Sequence, residues 1–212
     1  MARKKKSDAL KTRQQLIDAA IAQFAAHGAA KTTLGDIAEA AHVTRGALYW
    51  HFDSKEQIFE EIWKQQSALQ QIIQQRIPRT IKKEPLRYLR EVFITALRLI
   101  SLDPYHRSLM EILCCKYECT NGVLDTVEMQ AMLGMDDEAL AYWLRRCIQH
   151  GDISAQTDIS VLIIILRGAL SGIIRNWLMH PERFDLAAQA PTLVDNLWQM
   201  FTVTRPVAAA HE

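Results

Sequence analysis

Residues 43–52 read Val-Thr-Arg-Gly-Ala-Leu-Tyr-Trp-His-Phe, so one cation, one glycine and three aromatics fall within ten positions. Wound as a helix, Leu48 and Phe52 stand four apart on one face and, with Val43 and Ala47, can pack inward. Thr44, Arg45, Gly46 and Tyr49 then lie opposite, with Trp50 and His51 at the edge. The chemistry open to these types is recognition of a nucleic acid. Arg45 can fork onto a guanine or a phosphate, Thr44, Tyr49 and His51 can donate to phosphate oxygens, and Gly46 lets a backbone come close. Trp50 reads either as a packed aromatic or as a contact. Lys55, Thr32 and Thr33 nearby and Lys4 and Lys5 in the basic arm complete the candidate DNA-binding set.

Other chemistries find no foothold. There is no Gly-rich phosphate loop, no Ser-His-Asp or Cys-His arrangement suggested by spacing and no pairing of carboxylates beyond chance, so neither an enzyme nor a cofactor is expected. The cysteines are 114, 115, 119 and 147, without a CxxC or a nearby histidine to complete a metal site. They read as packed thiols. Because Cys114 and Cys115 are adjacent and Cys119 is a turn away, a thiol-based redox-sensing DNA-binding regulator is the alternative reading.

The formal net charge is +1, but residues 1–55 carry nine Lys/Arg against five Asp/Glu, which suits an N-terminal end that faces a polyanion. Polar residues follow Met1-Ala-Arg-Lys-Lys-Lys where a secretory signal would be apolar, so a cytoplasmic location is expected. The most apolar run, 159–166, is much shorter than the roughly 20 residues of a membrane span; it reads as a buried helix, with no membrane partner.

Apolar residues recur at helical spacing almost everywhere, which predicts an all-α fold of about nine helices. The first is expected over 12–27, with Leu16, Ile17, Ala20, Ile21 and Phe24 on one face and Gly28 as its stop. A short second helix starts at Thr33, capped with the help of Asp36, and Thr44 caps a third. Ser54 and Gln57 form a capping box for a long fourth. Further helices are expected over 84–101, 105–117, 123–150, 158–180 and 186–203. Two short capped helices joined tightly and braced by a third have the geometry of a helix-turn-helix at about 33–52. The expected domain boundary separates 1–54, binding DNA, from 55–212.

The stretch TTLGDIAEAAHVTRGALYWHFDSKEQIF resembles the DNA-binding signature of the TetR family of bacterial repressors. The opening MARKKKSDALKTRQQLIDAAIAQF and the later MEIL, KYE and NWL are similar to its AcrR and EnvR subgroup, which represses multidrug efflux operons. Two departures stand out: His42 occupies the turn where the family usually has glycine, and Cys115-Lys-Tyr-Glu-Cys119 stands where the subgroup tends to read HKCEF.

The resemblance implies a homodimer on a palindromic double-stranded operator, released by a hydrophobic or cationic small molecule such as a drug, a dye or a bile salt. One helix-turn-helix touches few base pairs, so a palindrome read by two copies supplies specificity. Gly168, Ser171 and Gly172, with Leu193, Leu197 and Met200, are the expected dimer interface. Phe59, Trp63, Ser67, Met110, Glu111, Cys114, Tyr117 and Trp143 are the expected ligand set, aromatic and methionine-rich as permissive pockets are.

Overall fold

A computed structural model describes residues 2–115 and 135–202, without the side chains of 2–6, 63–71 and 113–115. The expected helix over 123–134 and Tyr117, Cys115 and Cys119 as side chains thus lie outside the described residues, as do the side chains of Lys4, Lys5, Trp63, Ser67 and Cys114. Among the described residues there are nine α-helices, one 3-10 turn at Arg79–Lys83 and a lone antiparallel bridge, Ile153 to Thr202. The helices are α1 (Ala2–His27), α2 (Leu34–Ala40), α3 (Arg45–His51), α4 (Lys55–Arg76), α5 (Pro85–Leu102), α6 (Pro104–Cys115), α7 (Asp137–His150), α8 (Ile159–Met179) and α9 (Leu186–Gln199).

The all-α expectation holds, with boundaries moved: the helix expected over 123–150 begins at Asp137 after its extended cap Asp136, and the one expected to run to 203 ends at Gln199. α1 begins ten residues before its expected start, because Lys, Ala and Leu favour helix without any apolar stripe to signal it. Thr12 donates back to the carbonyl of Asp8 along that extension.

The chain forms two compact units. The first takes residues up to Ile72 and from Leu99 through α6. Its core gathers Leu16, Ile17, Ile21 and Phe24 of α1, Ile37 of α2, Leu48 of α3, Phe52 and Ile58, and also Leu109 and Ile112 of α6. α6 therefore belongs to the packing of the helix-turn-helix. Burial of these side chains, at about 1.5–3 kcal/mol each, holds two seven-residue helices that would not persist alone.

The second unit takes Ile73–Arg98 and the residues from Met135. Its helix starts are capped by Asp136, Asp158 and Asp185, each accepting from the backbone of the first turn. Pro191 sits inside α9 and cannot donate to the carbonyl of Ala187; Arg98 Nε donates to that oxygen instead, at 3.3 Å. Arg90 of α5 grips Asp195 of α9 with both Nε and Nη2. That contact holds the Asp195 carboxyl below its ordinary range.

The run 159–166 at the start of α8 was expected to be buried, and only one side of it is. Leu162, Leu166, Leu170, Ile174 and Trp177 are core, whereas Val161, Ile164, Ile165, Gly168, Gly172 and Met179 form an outward stripe. Its 21 residues are also long and apolar enough to cross a membrane by length and composition. Arg167, mid-helix, points inward and pairs with Asp137 while donating to the carbonyl of Met135.

Candidate nucleic-acid interface

The short aromatic helix is positioned by caps at its start and by a clamp at its end. Thr44 is the N-cap of α3, its Oγ1 accepting from Ala47 N at 3.2 Å, which leaves the hydroxyl proton for another acceptor. Thr33 caps α2 in the same way and receives Asp36 in return, a reciprocal box whose hydrogen bonds hold the Asp36 carboxyl low. Between the two helices His42 takes φ 54°, a left-handed turn in which histidine is tolerated.

At the far end Arg13 of α1 makes three contacts at once. It donates to the carbonyl of His51 at 3.0 Å, pairs with Glu61 of α4 at 2.8 Å, and lies 4.3 Å from the centre of the Phe52 ring. Sequence reasoning missed this residue. Its partners are 38 and 48 positions away, and no local pattern links them.

Lys55 makes a matching clamp on the other side. Its ammonium donates to the carbonyls of Ala29 and Thr32, both at 3.0 Å, tying the start of α4 to the loop before α2. Two of its three protons are thereby used, so the expected phosphate contact falls to the third. Thr32, grouped with the contact residues from sequence, is 2 % exposed with its hydroxyl turned onto the carbonyls of Gly28 and Gln23. It braces the loop from inside, and its side chain offers no donor at the surface.

The remaining candidates present an exposed face. Thr44, Arg45 and Gly46 are exposed, Tyr49 is 55 % exposed, and Trp50 is 73 % exposed with its ring edge-on to His51. Among the described residues, the ring contact of Trp50 is with its neighbour His51, and most of its surface faces out. His51 is half-buried, and burial together with the charge of Arg13 pushes its pKa down, so the ring is neutral at pH 7 and donates through one N–H. Leu48 and Phe52 face the core, as the four-residue spacing requires.

Gly35 of α2 is a second residue that sequence reasoning missed. A Cβ placed there would stand 2.8 Å from Nη2 of Arg45, so the guanidinium occupies space that any other residue would fill. At Gly46 a Cβ would meet nothing closer than Thr44 Oγ1 at 4.0 Å, so the chain itself has no need of that glycine.

The ligand candidates fall into different surroundings. Phe59 stacks on Phe24 at 4.5 Å against the helix-turn-helix core, Met110 is fully buried in the same unit, and Glu111 is half-buried 3.4 Å from Arg107. Trp143 belongs to the second unit, packed on Tyr88 with Arg146 over its ring. A groove of about 380 Å³ in the first unit is lined by none of them; its walls come from α1, α2 and the loop between, from Gln23 to Ala40. Cys147 is buried, and burial raises its thiol to about 12, which makes it chemically inert.

Of the dimer candidates, Gly168, Gly172 and Met200 are exposed and Ser171 and Leu193 half-buried, while Leu197 is 8 % exposed and sits in the core of its own unit. A Cβ on Gly168 or Gly172 would meet no atom within 4 Å.

Two family models match the chain: residues 16–62 fit bacterial regulatory proteins of the tetR family, and residues 84–203 fit the C-terminal region of the MAATS-type transcriptional repressors. The "Probable acrEF/envCD operon repressor" of Escherichia coli K12 is 45% identical over 201 residues, 95% of this chain and 91% of that protein. The HTH-type transcriptional regulator AcrR of Shigella flexneri is 35% identical over 202 residues, 95% of this chain and 94% of that protein. Among solved structures, NalD of Pseudomonas aeruginosa, the secondary repressor of the MexAB-OprM multidrug efflux pump, aligns with a TM-score of 0.72 at 26% identity, covering 92% of this chain and 97% of its own.

Proposed function

Because the chain is a transcriptional repressor of the TetR family, we propose that it binds a palindromic operator as a homodimer in the bacterial cytoplasm, controls a multidrug efflux operon, and is released by hydrophobic or cationic small molecules. Residues 1–54 form the DNA-binding part and 55–212 the ligand-binding and dimerising part. The observation that carries the reading is the exposed face of α3. Arg45, Tyr49 and Trp50 stand in solvent on a helix too short to serve the core with more than Leu48, fixed by polar clamps at both ends.

Gly46 supports it, since a helical glycine costs about 1 kcal/mol relative to alanine and its own chain does not require one there. A close approach by DNA supplies the reason. Arg45 reads a base edge or grips a phosphate, Thr44, Tyr49 and His51 donate to phosphates, Trp50 lies against the sugar-phosphate backbone, and Thr33, Lys4, Lys5 and Lys55 add positioning contacts.

The same logic applies to α8. Gly168 and Gly172 are glycines without a steric reason in one copy, within an exposed apolar stripe, and a second copy of the helix laid along the stripe provides one. In this reading Leu193 of α9 and Met200, just past its end, join the interface, and Leu197 packs behind them in the core of its own unit.

Ligand release requires the ligand to prefer the conformation that does not bind DNA, and a coupling of about 1–3 kcal/mol weakens operator binding roughly 5- to 150-fold. In this reading ligand entry tilts α4, and Arg13 and Lys55, clamped to both ends of the recognition region, feel the movement. The test is selection from a random duplex pool at fixed salt, repeated with cationic dyes and bile salts. A retained palindrome that is lost on adding the compounds is expected; no enrichment refutes the DNA reading, and a palindrome that persists refutes release by these compounds.

A further inference from the structure

We propose that Gly35 is a positioning residue for Arg45, so that α2 takes part in base-pair selection through the guanidinium it accommodates. A Cβ at Gly35 would lie 2.8 Å from Nη2 and 3.2 Å from both Cζ and Nε of Arg45, the three nearest atoms around it. The whole head group, and not merely its tip, covers the site. The pKa of the Asp36 carboxyl beside it is lowered chiefly by the Thr33 hydrogen bonds, with a smaller contribution from the charge of Arg45.

Among the described residues, no other feature accounts for the glycine. It stands within a regular helix, away from the positive-φ positions Gly28 and Gly151, and glycine is a poorer helix former than alanine. What its missing side chain provides is a seat. An arginine on a flexible stem loses conformational freedom when it engages a base, and a seat against α2 removes much of that freedom beforehand. With a methyl in the seat, Arg45 keeps its charge and its reach and loses its fixed starting position.

This inference rests on the reading that Arg45 contacts operator, and a double-mutant cycle separates the two. Operator dissociation constants are measured for the full-length protein at one salt concentration, for the parent, Gly35→Ala, Arg45→Ala and the double variant. Gly35→Ala is expected to weaken binding about 10-fold, with a melting temperature equal to or above the parent's. In the Arg45→Ala background it is expected to change nothing. At whichever operator base pair Arg45→Ala loses its preference, Gly35→Ala is expected to lose it too.

Binding by Gly35→Ala that equals or exceeds the parent's, while Arg45→Ala is impaired, overturns the positioning role and leaves the contact standing. Equal losses in both backgrounds overturn it as well, since a plain defect in α2 does not need Arg45. If Arg45→Ala binds as tightly as the parent, the contact itself is refuted.

Discussion

The face of α3 and the outer face of α8 are both exposed, and they are held in place by opposite means. α3 is a seven-residue helix that buries only Leu48 and is fixed besides by Thr44 at its start and Arg13 at its end, each a polar contact with a defined direction. α8 is a 21-residue helix fixed mainly by one apolar side, with Arg167 locked onto Asp137, and its other side exposes Val161, Ile164, Ile165 and Met179. A surface that reads atoms on a partner needs its donors at set positions, which directional bonds provide. A surface that closes on its own copy needs area and close approach, which the stripe and its two bare glycines provide.

The sharpest break of that comparison is a charge in the stripe. Ile164 is 70 % exposed, so Ile164→Glu is expected to leave the single chain folded and to place a carboxylate in the proposed interface. Sedimentation is expected to show a monomer, and operator affinity to drop about 10²-fold or more as two linked half-site contacts become one. A dimer that survives removes α8 from the interface.

Next in size is Arg45→Ala, expected to cost about 1–3 kcal/mol of discrimination at one base pair in each half-site, with the dimer intact. An unchanged dissociation constant and unchanged base preference would move the reading face elsewhere on the helix.

Arg13→Ala tests whether polar clamps are what holds α3. It removes a hydrogen bond and an ion pair that are less than a third exposed, a loss of about 1–2 kcal/mol and a fall in melting temperature of a few degrees. Operator binding is expected to weaken with it. If stability falls and binding does not, the clamp serves the fold alone.

The smallest effect concerns His51. Its folded pKa lies below the ordinary value, so the neutral ring is the stabilising form: that contribution is intact above about pH 6.5 and declines as acid protonates the unfolded chain first. His51→Gln is therefore expected to flatten slightly the loss of thermal stability between pH 7 and 5. An identical pH profile would mean that the ring is as comfortable charged as neutral.

The fold was largely legible because helices with one apolar side announce themselves at a period of 3.6, and Thr33, Thr44 and Ser54 are strong start signals that the structure uses. The extension of α1 was not, since Lys and Ala carry propensity without periodicity. Of α8, Gly168 and Gly172 were legible as outward, but Val161, Ile164 and Ile165 were not, because a helix apolar on both sides gives no periodic signal of which side is covered. Within the candidate interface, exposure of Tyr49 followed from spacing. The inward Thr32, the clamps of Arg13 and Lys55 and the seat at Gly35 are contacts between elements, invisible to any local window.

Arg167 has a bearing on how the chain is made. While α8 is newly synthesised and no copy is at hand, it offers the membrane-insertion machinery a segment of suitable length and hydropathy. An arginine near the middle of such a segment opposes insertion by about 2.5–3.5 kcal/mol, and Arg175, two turns on, adds to it. The folded protein hides that first charge by locking it onto Asp137. The same side chain thus serves twice, first as a refusal of the bilayer during translation and then as an internal tether.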